Sequence, residues 1–418
     1  MSQKDPKIIT FGCRLNTYES EVMRGHASKA GLNDAIIFNT CAVTKEAERQ
    51  ARQAIRRARR ENPQAKIIVT GCSAQIDPQK YAQMDEVDQI IGNDLKLKEE
   101  SWKPDAKEEK ILVNDIMAVK ETAGHLINGF EDQSRAFLQV QNGCDHRCTF
   151  CIIPFGRGNS RSVPIGVIAD QVRMLVEQGY NEIVFTGVDV TSFGPDLPGK
   201  PTLGQMIRRV LALVPELPRL RLSSLDPVEI DDDMWLLIAQ EPRFMPHLHL
   251  SVQAGDDMIL KRMKRRHLRD DVIDVCKRAR DLRPDMAFGA DIIAGFPTET
   301  EEMYRNSLRL VKECDLTYLH VFPYSERHGT PAARIPDQVP VPERKERASR
   351  LRALGEAQVD KLLHSMVGQD VEVLVEKGGV GRSENFIPVM LCEEYEVGSL
   401  VMVKATDAKE GKLQGEGI

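Results

Sequence analysis

The chain has 418 residues, of which 41% are hydrophobic and 29% charged, a balance typical of globular proteins with two or three domains. Its formal net charge of −6 gives no overall attraction to nucleic acid, so an RNA partner must bind local basic patches. The first residues, MSQKDPK, are polar, and no apolar run is long enough to span a bilayer. We therefore expect a cytoplasmic protein without a membrane partner.

The amino-terminal part alternates short apolar strands with helical patterns at a spacing of about thirty residues. The predicted strands are residues 7–12, 35–40, 66–71 and 87–91. This spacing is typical of βαβ units and predicts a parallel sheet with helices on its faces. Residues 96–133 are charged and weakly patterned, with one possible strand at 111–113. We place a domain boundary near residue 130.

The alternation resumes after residue 134 with six further strand patterns, separated by helical ones. The strands are residues 137–141, 182–187, 219–224, 247–252, 288–295 and 316–322, and the helices include residues 167–178, 203–213, 268–281 and 299–313. Six βα units predict an open (β/α)6 barrel. A helix is predicted over 340–366, followed by period-two strands that predict a small all-β barrel. The fold class is α/β, with domains at 1–130, 131–365 and 366–418.

Three of the nine cysteines, Cys144, Cys148 and Cys151, lie on one short loop in a C-x3-C-x2-C spacing. In a cytosolic chain this favours metal binding over disulfides. Three thiolates do not complete a tetrahedral zinc site, but they can hold a 4Fe-4S cluster and leave one iron open for S-adenosylmethionine. A zinc knuckle or incidental thiols are the alternative, but the loop follows the first barrel strand, where barrel active sites lie. Phe150 fits as apolar cover for the cluster.

The cysteine spacing resembles the defining motif of the radical S-adenosylmethionine superfamily, and residues 134–331 resemble its catalytic domain. The resemblance implies that loops after the other strands bind S-adenosylmethionine. Thr186, Gly187 and Asp189 resemble the segment that binds the amino group of the cofactor, although Val188 replaces a glycine. The small polar groups after the third and fourth strands suit ribose hydroxyls, and the loop after the fifth resembles one near adenine. These candidates are Ser224, Ser251, Gln253, Asp291, Phe296 and Pro297.

A second group of cysteines, Cys13, Cys41 and Cys72, follows three predicted parallel strands, one after each. Because the carboxyl ends of parallel strands meet at one edge of a sheet, we expect these thiols to converge there. Buried cysteines acting as small hydrophobic residues are the alternative. The trio predicts a second 4Fe-4S cluster whose open iron binds an exogenous sulfur. Three remaining cysteines have no partners at ligand spacing and are interpreted as core residues: Cys276, Cys314 and Cys392.

Together with the domain order, the segments 12–16, 39–44, 70–72 and 144–151 resemble the methylthiotransferases over nearly the whole chain, including a carboxyl-terminal TRAM-like barrel. The resemblance implies that one S-adenosylmethionine methylates sulfur at the auxiliary cluster. A second gives a 5′-deoxyadenosyl radical that removes hydrogen from an unactivated carbon, to which the methylthio group is transferred. It also implies an electron donor such as flavodoxin or ferredoxin.

Three substrate groups compete within this family, and residues 13–21 resemble most the group that acts on N6-threonylcarbamoyladenosine at position 37 of tRNA. The expected partner is then the tRNA anticodon stem-loop. Because this nucleoside carries a carboxylate, we expect arginine in its pocket. The candidates are Arg14, Arg157 and Arg161, with Asn16 of the same motif as Arg14, although each arginine is equally explained as an ordinary surface residue. The alternatives are isopentenyladenosine in tRNA and a ribosomal protein aspartate.

Basic segments give further hypotheses for RNA contact. The arginines of the helix over 45–61 and of the run at 261–266 predict phosphate-binding surfaces, unless neighbouring acids neutralise them. In the carboxyl-terminal barrel, Arg382 and Phe386 resemble a TRAM loop able to stack on a base. That barrel is acidic in places, and similar barrels contact protein, so it does not decide the substrate. A non-catalytic iron–sulfur protein that binds RNA or senses redox state is a distant alternative.

Overall fold

A computed structural model describes residues 6–103, 109–121 and 134–418, and the boundary predicted near residue 130 lies outside these ranges. The amino-terminal part is a parallel sheet in the order β1 to β5. Its strands are β1 Lys7–Thr10, β2 Ala35–Thr40, β3 Lys66–Gly71, β4 Gln89–Ile91 and β5 Ile111–Leu112. The apolar run of β2 is buried throughout because β1 and β3 flank it and helices cover its faces. The expected parallel α/β domain is confirmed.

Four helices accompany this sheet: α1 Arg14–Lys29, α2 Lys45–Glu61, α3 Cys72–Ile76 and α4 Pro78–Ala82. The side chain of Thr44 caps α2 by accepting a hydrogen bond from the Ala47 amide at 3.1 Å. Ala51, Ile55 and Ala58 of α2 are buried, and the last two pack on the sheet in one apolar cluster with β2 and β3. The helix is therefore fixed to the sheet by its apolar face.

The arginines of α2 are largely neutralised by neighbouring acids. Arg49 pairs with Glu46, Arg57 with Glu61 at 2.7 Å, and Arg59 with Asp88 at 2.5 Å. Such exposed pairs leave little net positive charge for phosphate. This arrangement supports the reading of a solvated, charge-paired helix and does not support the predicted phosphate-binding surface on α2.

The central part forms the expected open barrel. Its strands are β6 Ala136–Gln139, β7 Gln141–Asn142, β8 Arg161–Ser162, β9 Glu182–Thr186, β10 Arg219–Leu222, β11 Ser224–Leu225, β12 His247–Gln253, β13 Ala287–Ala294 and β14 Leu316–Pro323. The barrel strands run β6, β9, β10 and then β11, β12, β13, β14, all parallel, with the third strand split at Ser223. β7 and β8 form a small antiparallel pair beyond the first barrel strand.

Eight helices belong to this part: α5 Ile153–Arg157, α6 Ile165–Glu177, α7 Leu203–Leu213, α8 Asp232–Gln240, α9 Asp257–Met263, α10 Arg269–Leu282, α11 Glu301–Glu313 and α12 Val341–Met366. The amino-terminal helix α1 also joins the barrel, because Leu15, Tyr18 and Val22 share one apolar core with Leu138 and Val140. The start of α1, directly after Cys13, is thereby held beside the first barrel strand. Among the described residues, no helix combines the length and apolar character that crossing a bilayer demands.

The carboxyl-terminal strands close into a small barrel in the order β15-β16-β17-β19-β18. They are β15 Asp370–Glu376, β16 Val380–Ser383, β17 Pro388–Leu391, β18 Leu400–Lys409 and β19 Lys412–Gly417. This confirms the predicted all-β barrel. It docks on the amino ends of the central strands, where Arg219 donates to Glu372 at 2.7 Å and Arg221 donates to the Ser383 carbonyl at 2.8 Å.

Candidate metal centres and active site

The first cysteine group lies on the loop between β7 and α5, and backbone contacts fix this loop. Thr149 donates from its amide to the Met263 carbonyl at 3.0 Å, and its hydroxyl donates to the Arg262 carbonyl at 2.8 Å. Gly143, where the loop begins, has a φ of +75°, and a Cβ there would lie 1.8 Å from the Asn159 carbonyl oxygen. Only glycine fits this conformation, so the sequence Asn-Gly before the first cysteine is a structural requirement.

The thiols of this loop are half-buried and lie close to one another. Burial raises the pKa of Cys151 to about 12, and the neighbouring Cys148 contributes to the rise. Burial also raises the pKa of Cys144, with the Asp189 carboxylate as the next cause. A bound metal ion instead lowers the pKa of the thiols that coordinate it, because its positive charge favours the thiolate form. The donor set of three converging thiols fits a 4Fe-4S cluster with one open iron.

Asp189 lies directly beside this group, with its Oδ2 3.6 Å from the Cys144 sulfur. Its loop is held by Gln141, whose side-chain oxygen accepts from the amides of Val188 at 3.0 Å and Asp189 at 2.9 Å. A Cβ on Gly187 would lie 2.8 Å from the same side-chain oxygen, so the glycine permits this close approach. Thr186 is buried at the end of β9, whereas Gly187 and Asp189 remain partly open. The position of Asp189 suits the predicted contact with the cofactor's amino group.

His146 is a site residue that the sequence analysis missed. Its Nε2 lies 2.9 Å from Asp189 and 3.7 Å from Glu229. The hydrogen bond with Asp189, followed by that with Glu229, raises the pKa of His146 to about 10, although Arg266, 2.5 Å from the same nitrogen, opposes the rise. Its position between two cysteines of the motif could have marked it as a site residue in the sequence. It was missed because its carboxylate partners are distant in the chain.

Arg265 is a second missed residue. The sequence analysis assigned the basic run at 261–266 to phosphate, but the Arg265 side chain turns inward. It donates to Asp226 at 2.8 Å, to the Ser251 carbonyl at 2.9 Å and to the Cys148 sulfur at 3.6 Å. Its Nε is buried and has no hydrogen-bond partner among the described residues, an orphan donor that fits an added cluster sulfur. A cation here stabilises thiolate and the reduced cluster.

Replacing Arg265 with methionine is expected to lower cofactor cleavage about 10- to 100-fold, as is usual when an outer-sphere partner of a metal ligand is lost. The reduction potential of the cluster is expected to fall, because a hydrogen bond and a positive charge beside Cys148 are removed. A spectroscopic redox titration together with 5′-deoxyadenosine formation measures both effects. Arg262→Met is the matched control, since Arg262 donates to Thr298 at 2.7 Å and to no thiol. An unchanged potential in Arg265→Met would contradict this role.

The other residues predicted to bind S-adenosylmethionine divide into two sets. Ser224, Ser251 and Gln253 are half-buried at the ends of β11 and β12, and Phe150 packs at the edge of an apolar cluster beside the loop. Phe296 is fully buried in that cluster, with its ring centroid 5.5 Å from that of Tyr324, and Pro297 is buried too. A side chain without accessible surface has none to offer a ligand, so the assignment of side-chain contact to Phe296 is corrected, whereas that of Pro297 stays a prediction.

Asp291 lies inside β13, three residues before the strand ends at Ala294, within the strand predicted over 288–295. Its Oδ1 lies 3.1 Å from His249 and 3.3 Å from His320. Burial opposes ionisation, but these two contacts outweigh it and hold the pKa of Asp291 below its ordinary value. Asp291 therefore belongs to a histidine cluster in the barrel wall, and its contact with the cofactor stays a prediction.

The second cysteine group is brought together at the carboxyl edge of the amino-terminal sheet. A Cβ on Gly12, next to Cys13, would lie 3.2 Å from the Cys41 sulfur. Burial, followed by the nearby Cys72 and Cys13 thiols, raises the pKa of Cys41 to about 12. The Cys72 sulfur accepts from Asn93 Nδ2 at 3.7 Å. Three converging thiols again fit a cluster with one open iron.

The two cysteine groups adjoin each other. Ile152, the residue after Cys151, packs in one apolar cluster with Ala42 and Cys72. A Cβ on Gly156 of α5 would lie 3.1 Å from the Cβ of Cys72, so α5 lies almost against α3. The loop of the first group and the sheet edge of the second therefore form one continuous site at the junction of two domains.

Asn16, Arg157 and Arg161, predicted to bind substrate, occupy the buried part of this junction. Arg157 is 2% exposed, and its guanidinium donates to Asn16 at 2.6 Å and to Glu19 at 2.7 Å. Arg161 donates to the Arg157 carbonyl at 2.9 Å. Because the donors of Arg157 are taken by protein acceptors, we correct its assignment, and that of Asn16 and Arg161, from substrate contact to joining the domains.

The remaining substrate candidates, Arg14, Arg382 and Phe386, line one cavity of about 850 Å3 at the lateral opening of the central barrel. Phe386 reaches in from the carboxyl-terminal barrel and stacks on His247 with ring centroids 5.0 Å apart. The structure thus collects these three residues from two regions of the chain, α1 and the carboxyl-terminal barrel. Phe386 stacks on protein side chains, so it is not a free platform for a base.

Family models match two parts of the chain: the radical SAM superfamily over residues 138–311 and the Uncharacterized protein family UPF0004 over residues 6–92. The fold is similar to that of a radical S-adenosylmethionine methyltransferase from Kitasatospora setae, solved with cobalamin and a 4Fe-4S cluster. That comparison has a TM-score of 0.55 at 13% identity and covers 90% of this chain and 80% of the other. At this identity the likeness concerns the fold alone.

Relatives match over almost the full length. The chain is 58% identical to a threonylcarbamoyladenosine tRNA methylthiotransferase of Rickettsia prowazekii, covering 98% of this chain and 96% of that protein. It is 32% identical to the protein of the same name in Bacillus subtilis, covering 96% and 93%. It is 33% identical to a tRNA-2-methylthio-N(6)-dimethylallyladenosine synthase of Bartonella bacilliformis, covering 100% and 97%. Radical SAM membership implies a 4Fe-4S cluster and S-adenosylmethionine, and with these matches the chain belongs to the radical SAM methylthiotransferases, a family of enzymes.

Proposed function

We propose that this enzyme converts N6-threonylcarbamoyladenosine at position 37 of tRNA to its 2-methylthio derivative, with one S-adenosylmethionine as methyl donor and one as radical source. The observation that carries the proposal is the contact between the two cysteine groups, in which Ile152 next to Cys151 packs on Cys72. Sulfur insertion at an unactivated carbon needs a radical source and a sulfur source within reach of the same atom. Adjoining trios of thiols meet that need.

Each cysteine trio would hold one 4Fe-4S cluster, giving two per chain. The first cluster with S-adenosylmethionine supplies radical chemistry, and the second supplies the sulfur. The surrounding residues would bind and orient the cofactor. Asp189 would accept a hydrogen bond from the amino group of the cofactor, and His146 fixes the Asp189 carboxylate by a hydrogen bond. Arg265 balances the negative charge of the Cys148 thiolate.

The choice of nucleoside is supported by the cationic and hydrogen-bonding groups of the cavity at the barrel opening. Arg14, Arg382 and two histidines, His249 and His320, line it together with the acids Glu356 and Asp360 and several apolar side chains. An isopentenyl group prefers an apolar pocket, whereas a threonyl carboxylate and hydroxyl prefer cationic and hydrogen-bonding groups. Relatives named for threonylcarbamoyladenosine include one at 58% identity and others at 32% to 35%, and two named for dimethylallyladenosine stand at 33%. Dimethylallyladenosine tRNA and a ribosomal protein aspartate remain the alternative substrates.

Deletion of the gene is expected to remove 2-methylthio-N6-threonylcarbamoyladenosine from cellular tRNA and to leave the unmethylthiolated nucleoside in its place. Mass spectrometry of digested tRNA measures both nucleosides. The methylthio derivative of isopentenyladenosine, read from the same digest, is the internal control and should not change. If the threonyl derivative persists while the isopentenyl one disappears, the proposed substrate is wrong. Restoration by the wild-type chain and not by the Cys148→Ala variant ties the loss to this site.

A further inference from the structure

The cavity at the barrel opening is built from all three regions of the chain. Arg14 comes from the start of α1, His249 and His320 from the barrel strands, and Arg382 and Phe386 from the carboxyl-terminal barrel. Its volume of about 850 Å3 is in the range of small-molecule pockets. Since Arg14 follows Cys13 directly, the backbone of Arg14 adjoins the second cysteine group while its side chain lines this cavity.

Four guanidinium groups surround the Phe386 ring at the floor of this cavity. The distances from their central carbons to the ring centroid are 4.8 Å for Arg382, 5.2 Å for Arg221, 5.5 Å for Arg135 and 5.9 Å for Arg14. Such a concentration of positive charge is unfavourable unless anions balance it. Which of the four has a carboxylate partner therefore indicates where an anion is missing.

Three of the four cations are balanced within the protein. Arg135 and Arg221 lie 2.7 Å and 2.9 Å from Glu182, and Arg382 lies 3.8 Å from Glu376. In the part of the chain that the structure describes, Arg14 makes neither a hydrogen bond nor an ion pair, and its guanidinium lies over the Phe386 ring. The carboxylates of Glu182 and Asp291 attract it from beyond ion-pair distance, and Glu356 and Asp360 line the same cavity.

A histidine cluster forms the wall next to Arg14. His249 and His320 lie with ring centroids 4.6 Å apart, and both contact the same oxygen of Asp291. Gly289 makes room for this arrangement, because a Cβ there would lie 2.3 Å from His249 Nδ1. The shared carboxylate fixes both rings, and His320, whose side chain is 59% exposed, keeps a second ring nitrogen free to meet a ligand.

We propose that this cavity is the binding site for the amino-acid side chain of the substrate nucleoside, in which Arg14 binds the carboxylate and His320 hydrogen-bonds the adjacent polar groups. The inference rests on the proposed function and deepens it, since it assigns recognition of the acid to one residue. An arginine that forms no ion pair and is half-buried among other cations can bind the carboxylate of a ligand. Arg14 is then a specificity-determining residue that also places the nucleoside beside the second cysteine group.

The test compares two anticodon stem-loops, one bearing N6-threonylcarbamoyladenosine and one with its carboxylate converted to a carboxamide. Fluorescence anisotropy measures the affinity of each for the iron-loaded enzyme. Wild type is expected to bind the acid about 10- to 100-fold more tightly, as is usual for a hydrogen bond to a charged group. Arg14→Gln should bind both RNAs with the lower affinity, whereas Arg14→Lys should keep part of the preference. The control Arg173→Gln, an exposed arginine on α6, should behave as wild type.

Because Arg14 adjoins Cys13, its substitution also affects the surroundings of the second cysteine group. A second variant is therefore placed in the opposite wall of the cavity, where Ala357 of α12 is exposed. Ala357→Glu adds a repelling charge and should weaken binding of the acid RNA more than that of the carboxamide, whereas Ala357→Gln should not discriminate. If wild type modifies neither threonylcarbamoyl RNA, the proposed function fails. If wild type modifies the acid RNA, but Arg14→Gln retains the full preference or Ala357→Glu has no selective effect, this inference is overturned and the function stands.

Discussion

Replacing Cys41 with alanine is expected to abolish formation of the methylthio product and to leave cleavage of S-adenosylmethionine to 5′-deoxyadenosine near the wild-type rate. Cys148→Ala is expected to abolish both. The reason is that the two trios of thiols are separate donor sets on different domains, although they adjoin through Ile152 and Cys72. Each trio holds its own cluster in our proposal, so iron should fall from about eight to about four per chain in either variant.

The measurement uses anaerobically reconstituted protein, with iron analysis, 5′-deoxyadenosine and methylthio nucleoside quantified from the same samples. Cys392→Ala is the matched control, because this cysteine is exposed on the carboxyl-terminal barrel, far along the chain from either trio; its interpretation as a core residue was wrong. It should retain iron and both activities. Product formation by Cys41→Ala, or a wild-type content of about four irons, would contradict the role of the second trio.

The second large effect is expected at Glu19, which lies at the centre of the buried junction between the amino-terminal and central domains. Its carboxylate contacts Arg157 at 2.7 Å and Lys96 at 2.6 Å, and neither the Glu19 nor the Lys96 side chain has accessible surface. Glu19→Gln leaves two cations without their shared anion. Removing one partner of a buried pair costs about 3–5 kcal/mol, and the free energy of unfolding should fall by that amount.

The same variant is expected to impair the chemistry as well as the stability. Glu19 lies on α1, which begins after Cys13, and Arg157 lies on α5, which begins after Cys151. Their ion pair therefore joins the two cysteine groups, and its loss should lower methylthio transfer more than 5′-deoxyadenosine formation. Denaturant unfolding and the ratio of the two products measure the two effects. A drop in stability with an unchanged ratio would limit Glu19 to a structural role.

The control for Glu19 is Glu21→Gln on the same helix. Glu21 pairs with Arg24 at 3.1 Å near the surface, where ion pairs contribute about 0–1 kcal/mol. The pH dependence has a defined sign. Burial opposes ionisation of Glu19, but Arg157 and Lys96 outweigh it and lower its pKa to about 2. Its contribution is therefore complete above its ordinary value of 4.5 and is lost as the pH falls through about 2.

The amino-acid sequence by itself determined the domain order, the strands and the two cysteine trios. These follow from local features: period-two and helical patterns, and a thiol placed directly after each of three strands. The carboxyl ends of parallel strands meet at one edge whatever the details of packing, so Cys13, Cys41 and Cys72 had to converge. The Thr186–Asp189 segment was identified by its resemblance to the cofactor-binding segment of the superfamily, and it lies at the carboxyl end of β9.

Only the tertiary structure decided what the charged residues do. Arg14 and Arg157 were equal candidates for substrate contact in the sequence, yet Arg157 meets Glu19, 138 positions away, whereas Arg14 lines a cavity and makes no ion pair among the described residues. Arg265 was assigned to phosphate but meets Cys148, 117 positions away. Charged side chains are long and surface-compatible, so their patterns carry no burial signal, and their function depends on partners that only the folded chain brings near.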